Sequence, residues 1–134
     1  MYTFTKDIET GNALIDSQHK QWIDALNSLL SACSMGKGRE SILPTLKFLD
    51  EYTAKHFADE EALQVKSKYP GYAQHKQMHD AFKKVLRDII VEYKKDGPSI
   101  AVVAKINQNL GSWFINHIKR EDVKVVAHLK SSGM

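Results

Sequence analysis

Hydrophobic residues recur at intervals of three and four positions in four stretches of the chain. This spacing is typical of helices that bury one face against their neighbours. Asp16 is predicted as the N-cap of the first helix, and turn-forming residues such as Tyr69-Pro70-Gly71 separate the stretches. The predicted helices cover residues 16–35, 41–66, 72–95 and 99–119. The pattern therefore predicts an all-α fold, an up-down-up-down antiparallel four-helix bundle, with residues 1–134 as a single domain.

Polar side chains occupy the buried face of every predicted helix. They lie near the start of the first and third helices and toward the end of the second and fourth: His19, His56, Glu60, His75, His79 and His117. Because neighbouring helices run antiparallel, these positions fall at one level of the bundle, toward one end. A buried histidine or carboxylate without a partner is costly, so something must satisfy them.

The spacing of these residues predicts how they meet. Residues four apart differ by about 40° around a helix, so His56 with Glu60, and His75 with His79, form two pincers. Asp122 follows His117 by five residues, which places it about 140° away on a straight helix. We therefore expect the fourth helix to end or kink between these two residues, so that the carboxylate turns inward.

Five imidazoles and two carboxylates form a ligand set that suits iron. Two six-coordinate irons offer twelve positions. The imidazoles, two bridging carboxylates and one bridging hydroxide fill eleven, so one position stays open for a small ligand. Di-iron oxidases in bundles use mostly carboxylates with Glu-x-x-His motifs, and this chain has no such motif. The histidine-rich set therefore favours reversible binding over oxidation.

Composition narrows the class of protein. The net charge is +3 with lysines spread along the chain, so we expect no nucleic-acid partner. No stretch has the length of a membrane span, and residues 1–7 contain no apolar run, so we expect no membrane partner and a cytoplasmic location. Cys33 is the single cysteine, which excludes an intrachain disulfide and fits a reducing compartment.

With this set of candidate ligands, the chain resembles the hemerythrin family, in particular its single-domain bacterial members. The similarity covers nearly the whole chain and rests on Ile15-Asp16-Ser17-Gln18-His19-Lys20, His56-Phe57-Ala58-Asp59-Glu60-Glu61, Tyr69-Pro70, His75-x-x-x-His79 and Trp113-x-x-x-His117-Ile118.

The resemblance implies two iron ions with a bridging oxo or hydroxo group. His75, His79 and His117 would cap the saturated iron, and His19 and His56 would hold the iron with the open position. Glu60 and Asp122 would bridge the two. The implied function is reversible dioxygen binding for storage, delivery or scavenging.

The resemblance also implies an oxygen pocket lined by Trp22, Ile23, Phe57, Gln64, Trp113 and Ile118. Trp22 stands where the family usually has leucine. It is interpreted either as a core-packing residue or as one that reshapes the pocket. Gln64 stands where methionine is common. It is interpreted either as a solvated flanking residue or as a residue that contacts the bound ligand. Outside the ligand set, Asp59 and Glu61 are predicted to be solvated, and His128 is predicted to be a surface histidine.

Other functions remain open at this point. The same irons could serve a redox enzyme acting on peroxide or nitric oxide, supplied by an unidentified redox partner, or an oxygen or redox sensor. Iron storage and a purely structural metal site are further alternatives. No catalytic residue is identified, and we expect a binding protein in place of an enzyme.

Overall fold

Four helices form the bundle in a computed structural model that describes residues 2–36 and 39–133. The short 3-10 turn Lys6–Ile8 precedes them. The first three helices are α1 (Ala13–Ser34), α2 (Arg39–Ser67) and α3 (Tyr72–Asp96). The fourth is a continuous helical run over residues 100–131. The described residues contain no strand, and the predicted all-α four-helix bundle is confirmed.

The first helix begins three residues earlier than the sequence suggested, and the prediction of Asp16 as its N-cap was wrong. Asn12 is the cap, and its side chain accepts a hydrogen bond from the Ile15 amide. The Asp16 carboxylate lies inside the helix and accepts hydrogen bonds from the backbone amides of Thr10 and Gly11. It therefore anchors the segment that precedes the helix.

The fourth helix does not end between His117 and Asp122, which contradicts one of the two predicted outcomes. It consists of α4 (Ile100–Lys105), a π segment (Ile106–Ser112), α5 (Trp113–His117), a second π segment (Ile118–Asp122) and α6 (Val123–Ser131). A π-helix closes its hydrogen bonds between residues five apart. The second π segment therefore brings His117 and Asp122 onto one face while the helix continues.

The continued helix changes the surroundings of His128. This residue is half-buried, and its Nε2 donates a hydrogen bond to the Ser67 carbonyl at 2.8 Å. His128 is partly exposed, which agrees with the predicted surface position, and α6 packs against α2 at this end of the bundle. No helix among residues 2–36 and 39–133 is long and apolar enough to span a membrane.

Apolar packing lies on both sides of the polar level. On α1, Ile15 belongs to a small cluster with Val125, Val126 and Leu129. Trp22 and Ile23 belong to the main core. His19 lies between these two clusters in the chain, and Asp122 lies likewise between Ile118 and Val125. The polar residues are therefore enclosed above and below by hydrophobic side chains.

Candidate metal centre

The structure brings all seven predicted ligand residues together in the bundle interior. They form two groups of potential ligand atoms, each mutually within 4.8 Å, that have Glu60 and Asp122 in common. All seven are buried. One group adds His75, His79 and His117 to the two carboxylates, and the other adds His19 and His56.

The three-histidine group is closely packed around one oxygen of each carboxylate. His75 Nε2 lies 2.7 Å from Glu60 Oε1 and 3.2 Å from Asp122 Oδ1. His117 Nε2 lies 3.1 Å from the same Asp122 oxygen. His79 Nε2 lies 3.5 Å from Glu60 Oε1.

The two-histidine group faces the other oxygens of the same carboxylates. His19 Nε2 lies 2.9 Å from Asp122 Oδ2, and His56 Nε2 lies 3.8 Å from Glu60 Oε2. Each carboxylate thus presents one oxygen to each group. This is the arrangement in which a carboxylate can bridge two cations.

Mutual hydrogen bonding shifts the pKa values of the centre. Burial opposes ionisation of Asp122 and Glu60, yet hydrogen bonds from histidines lower the pKa of both carboxyl groups below the ordinary range. Burial also opposes the charge on His75, but its hydrogen bonds to Asp122 and Glu60 raise the pKa of this histidine to about 9. Burial and the neighbouring His19 lower the pKa of His56 to about 4.

Two histidines are held from behind by polar side chains. His79 Nδ1 lies 2.8 Å from Glu61 Oε2. His56 Nδ1 lies 2.7 Å from Gln18 Oε1, and Gln18 Nε2 donates to Asp59 at 2.8 Å. These contacts orient the rings so that Nε2 of each faces the centre.

Sequence reasoning missed these supporting residues. The Glu61 side chain is 15% exposed, so the prediction that it is solvated was wrong. Asp59 is partly exposed but is also engaged by Gln18. Two signals in the chain pointed to them: Gln18 directly precedes His19, and Asp59 lies three residues, almost one helical turn, after His56.

Aromatic rings form the walls of the centre. Phe57 stacks on His79 with ring centroids 3.7 Å apart, and Trp113 stacks on His117 at 4.5 Å. Trp22 is fully buried and stacks on Phe114, which contacts His19 edge-on. Trp22 is therefore a core residue that reaches the two-histidine group through one intervening ring.

The remaining residues predicted to line a pocket are also buried. Ile23 and Ile118 belong to the main apolar core. Gln64 is fully buried, so its interpretation as a solvated flanking residue was wrong. Its Nε2 donates to Glu60 Oε1 at 3.3 Å, the oxygen that faces His75 and His79. Gln64 thus contacts a carboxylate of the centre on the three-histidine side.

Comparison with known proteins agrees with this site. The family description "Hemerythrin HHE cation binding domain" matches residues 10–129. A bacteriohemerythrin of Pseudomonas aeruginosa is 30% identical, covering 94% of this chain and 80% of the relative. A bacteriohemerythrin of Stenotrophomonas maltophilia is 32% identical over 92% of this chain and 80% of the relative. The myohemerythrin of Sipunculus nudus is 30% identical, and the match covers 92% of this chain and 89% of the relative.

Proposed function

Because the chain belongs to the hemerythrin family, we propose that it binds dioxygen reversibly at a non-haem centre of two iron ions joined by an oxo or hydroxo group. Residues 1–134 form a single domain around this centre in the proposal. Storage, delivery or scavenging of oxygen in the cytoplasm is the corresponding role. The observation that carries the proposal is the pair of donor groups that have Glu60 and Asp122 in common.

The ligand assignment follows these two groups. His75, His79 and His117 would hold one iron, and His19 and His56 would hold the other. Glu60 and Asp122 would each contribute one oxygen to each iron. Support comes from the distances, because both carboxylates point different oxygens at the two histidine groups.

The chemistry of the donor set fits a pair of cations. Five imidazoles and two carboxylates are buried in the centre. Their polar atoms need hydrogen-bond or metal partners, which the surrounding apolar side chains do not supply. His56 Nε2 is buried without a hydrogen-bond partner among the described residues, and its nearest site carboxylate oxygen lies 3.8 Å away. A metal ion accepts such a lone pair directly, so cation binding would satisfy an atom that the protein leaves unpaired.

The protein's own contribution is exclusion of water and fixed ring orientation. The iron pair, when bound, would supply the reversible electron transfer by which dioxygen is held and released. On the two-histidine side, Phe114 packs edge-on against His19 and buried Trp22 stacks on Phe114, while Ile23 and Ile118 belong to the same apolar core. A pocket without water favours the return of the transferred electrons to the metal pair when dioxygen leaves. It also hinders the exchange of protons and the loss of oxidised products to solvent.

An optical oxygen titration tests the proposal. The iron-loaded protein is reduced without air, oxygen is admitted, and inert gas then removes it. We expect a visible charge-transfer band that appears and disappears over repeated cycles. His56→Ala, which removes one ligand of the two-histidine group, should abolish the band. Continuous oxygen consumption, or one irreversible conversion to an oxidised spectrum, would contradict a carrier and indicate a redox enzyme.

A further inference from the structure

A chain of side chains leads from the surface to the two-histidine group. Asp59 is 41% exposed, whereas Gln18 is 5% exposed and His56 is 1% exposed. The contacts run from Asp59 Oδ2 to Gln18 Nε2 at 2.8 Å and from Gln18 Oε1 to His56 Nδ1 at 2.7 Å. We refer to Asp59, Gln18 and His56 as the amide relay.

The direction of every hydrogen bond in the amide relay is determined by its carboxylate end. An ionised carboxylate accepts hydrogen bonds and donates none, so the Gln18 NH2 group must face Asp59. The amide oxygen then faces His56, and because this oxygen only accepts, the His56 proton must lie on Nδ1. Nε2 is left with its lone pair toward the centre.

We propose that Asp59 and Gln18 are positioning residues that set the tautomer of His56 and thereby prepare one of the two metal positions. This inference rests on the proposed metal centre and specifies how the chain builds it. A flipped Gln18 amide would place NH2 against His56 Nδ1. The ring would then carry its proton on Nε2, where it blocks the metal. A flipped amide would also bring its oxygen against the Asp59 carboxylate, which is unfavourable.

The two metal positions are supported differently. His79 Nδ1 meets the Glu61 carboxylate directly, so its tautomer needs no intermediate group. His56 meets a neutral amide, whose orientation depends on Asp59. Removing Asp59 should therefore affect the two-histidine position and leave the three-histidine position unchanged.

Zinc is a suitable probe because it is diamagnetic and takes imidazole and carboxylate ligands. Chelator competition would give the affinity of each position, and 15N spectra of histidine-labelled protein would report the protonated ring nitrogen. The variants are Asp59→Leu, Gln18→Leu and the double exchange Gln18→Glu with Asp59→Asn. In the double exchange the carboxylate at position 18 accepts from both His56 and the amide at position 59. Glu51→Leu, an exposed carboxylate on the same helix, is the matched control.

We expect Asp59→Leu and Gln18→Leu to weaken zinc binding at one position by about 10- to 100-fold, with loss of the protected His56 Nδ1–H signal. The double exchange should restore both the affinity and the signal. The inference is overturned if both affinities and the Nδ1–H signal match those of Glu51→Leu. If the protein binds two zinc ions but its iron-loaded form shows no reversible oxygen band, the proposed oxygen function is contradicted and the amide relay stays supported. Uptake of fewer than two zinc ions by the unsubstituted protein would overturn both.

Discussion

The Nε2 atoms of His75 and His117 lie 3.1 Å apart in the buried centre. Both also lie close to Asp122 Oδ1, at 3.2 Å and 3.1 Å. Two imidazole nitrogens that face each other at this distance can carry one proton between them. A cation bound at the same place would replace that proton and accept both lone pairs.

Metal uptake should therefore release protons. The raised pKa of His75, about 9 against an ordinary 6.5, means that this ring is charged near neutral pH in the metal-free protein. Metal binding requires the neutral ring, so His75 alone makes affinity rise by about tenfold per pH unit up to pH about 9. Calorimetric titrations in buffers of different ionisation enthalpy would measure the released protons. Binding heats that do not depend on the buffer would contradict the prediction.

The shared carboxylates predict a difference in metal stoichiometry between two variants. Glu60 belongs to both donor groups, whereas His56 belongs to one. Glu60→Ala should lower occupancy of both positions, and His56→Ala should leave about one metal per chain. Elemental analysis of protein purified with iron would measure both. Equal losses in the two variants would argue against the bridging assignment.

Metal binding should also stabilise the fold, because the ligands come from all four helices. Free metal at one hundred times its dissociation constant adds about 2.7 kcal/mol per site to the free energy of unfolding. Thermal unfolding with and without a chelator would measure the difference. The control is Glu60→Ala, whose melting temperature should respond much less to the chelator.

A buried hydrogen bond links two helices beside the centre. Trp22 Nε1 donates to Thr53 Oγ1 at 2.8 Å, and both residues are fully buried. Thr53→Val keeps the shape but leaves the indole N–H without its acceptor, so we expect a loss of about 1–3 kcal/mol in the free energy of unfolding. Urea denaturation would measure it. A double-mutant cycle with Trp22→Phe serves as control, since Thr53→Val should cost much less once the donor is absent.

Gln64 should tune the reduction potential of the proposed iron centre. It donates to Glu60 Oε1, and a hydrogen bond to a ligand carboxylate weakens its donation to the metal. Gln64→Met should therefore stabilise the ferric state and lower the potential, by about 40 mV if the bond contributes about 1 kcal/mol. A spectroscopic redox titration would test this, with Val65→Met, an exposed neighbour, as the matched control. An unchanged or higher potential would contradict the prediction.

Two features of the helices differ from what local residue preferences suggested. Asp16 had the residue type of an N-cap, but Asn12 stands where the chain enters the helix. The end or kink expected between His117 and Asp122 was based on α-helical geometry. The helix does not end there, and a π segment turns the Asp122 carboxylate inward, as expected. Local residue preferences do not specify which hydrogen-bond ladder the packed helix uses, because tertiary contacts of its neighbours decide it.

The sequence by itself determined the four helices and the residues that occupy their buried faces. This is because a hydrophobic periodicity of three and four positions specifies a buried helical face whatever the details of packing between helices. The sequence also placed five histidines and a glutamate at one level, because short connections force the helices to alternate in direction. Only the tertiary structure decided what surrounds them. The contacts of Gln18 with Asp59 and His56, and of Glu61 with His79, join residues from different helices. The burial of Gln64 likewise depends on the helices packed against α2. Such contacts depend on how the helices rotate and approach one another. Spacing within one helix can mark a residue as a candidate, but it does not specify which side chain of another helix that residue meets.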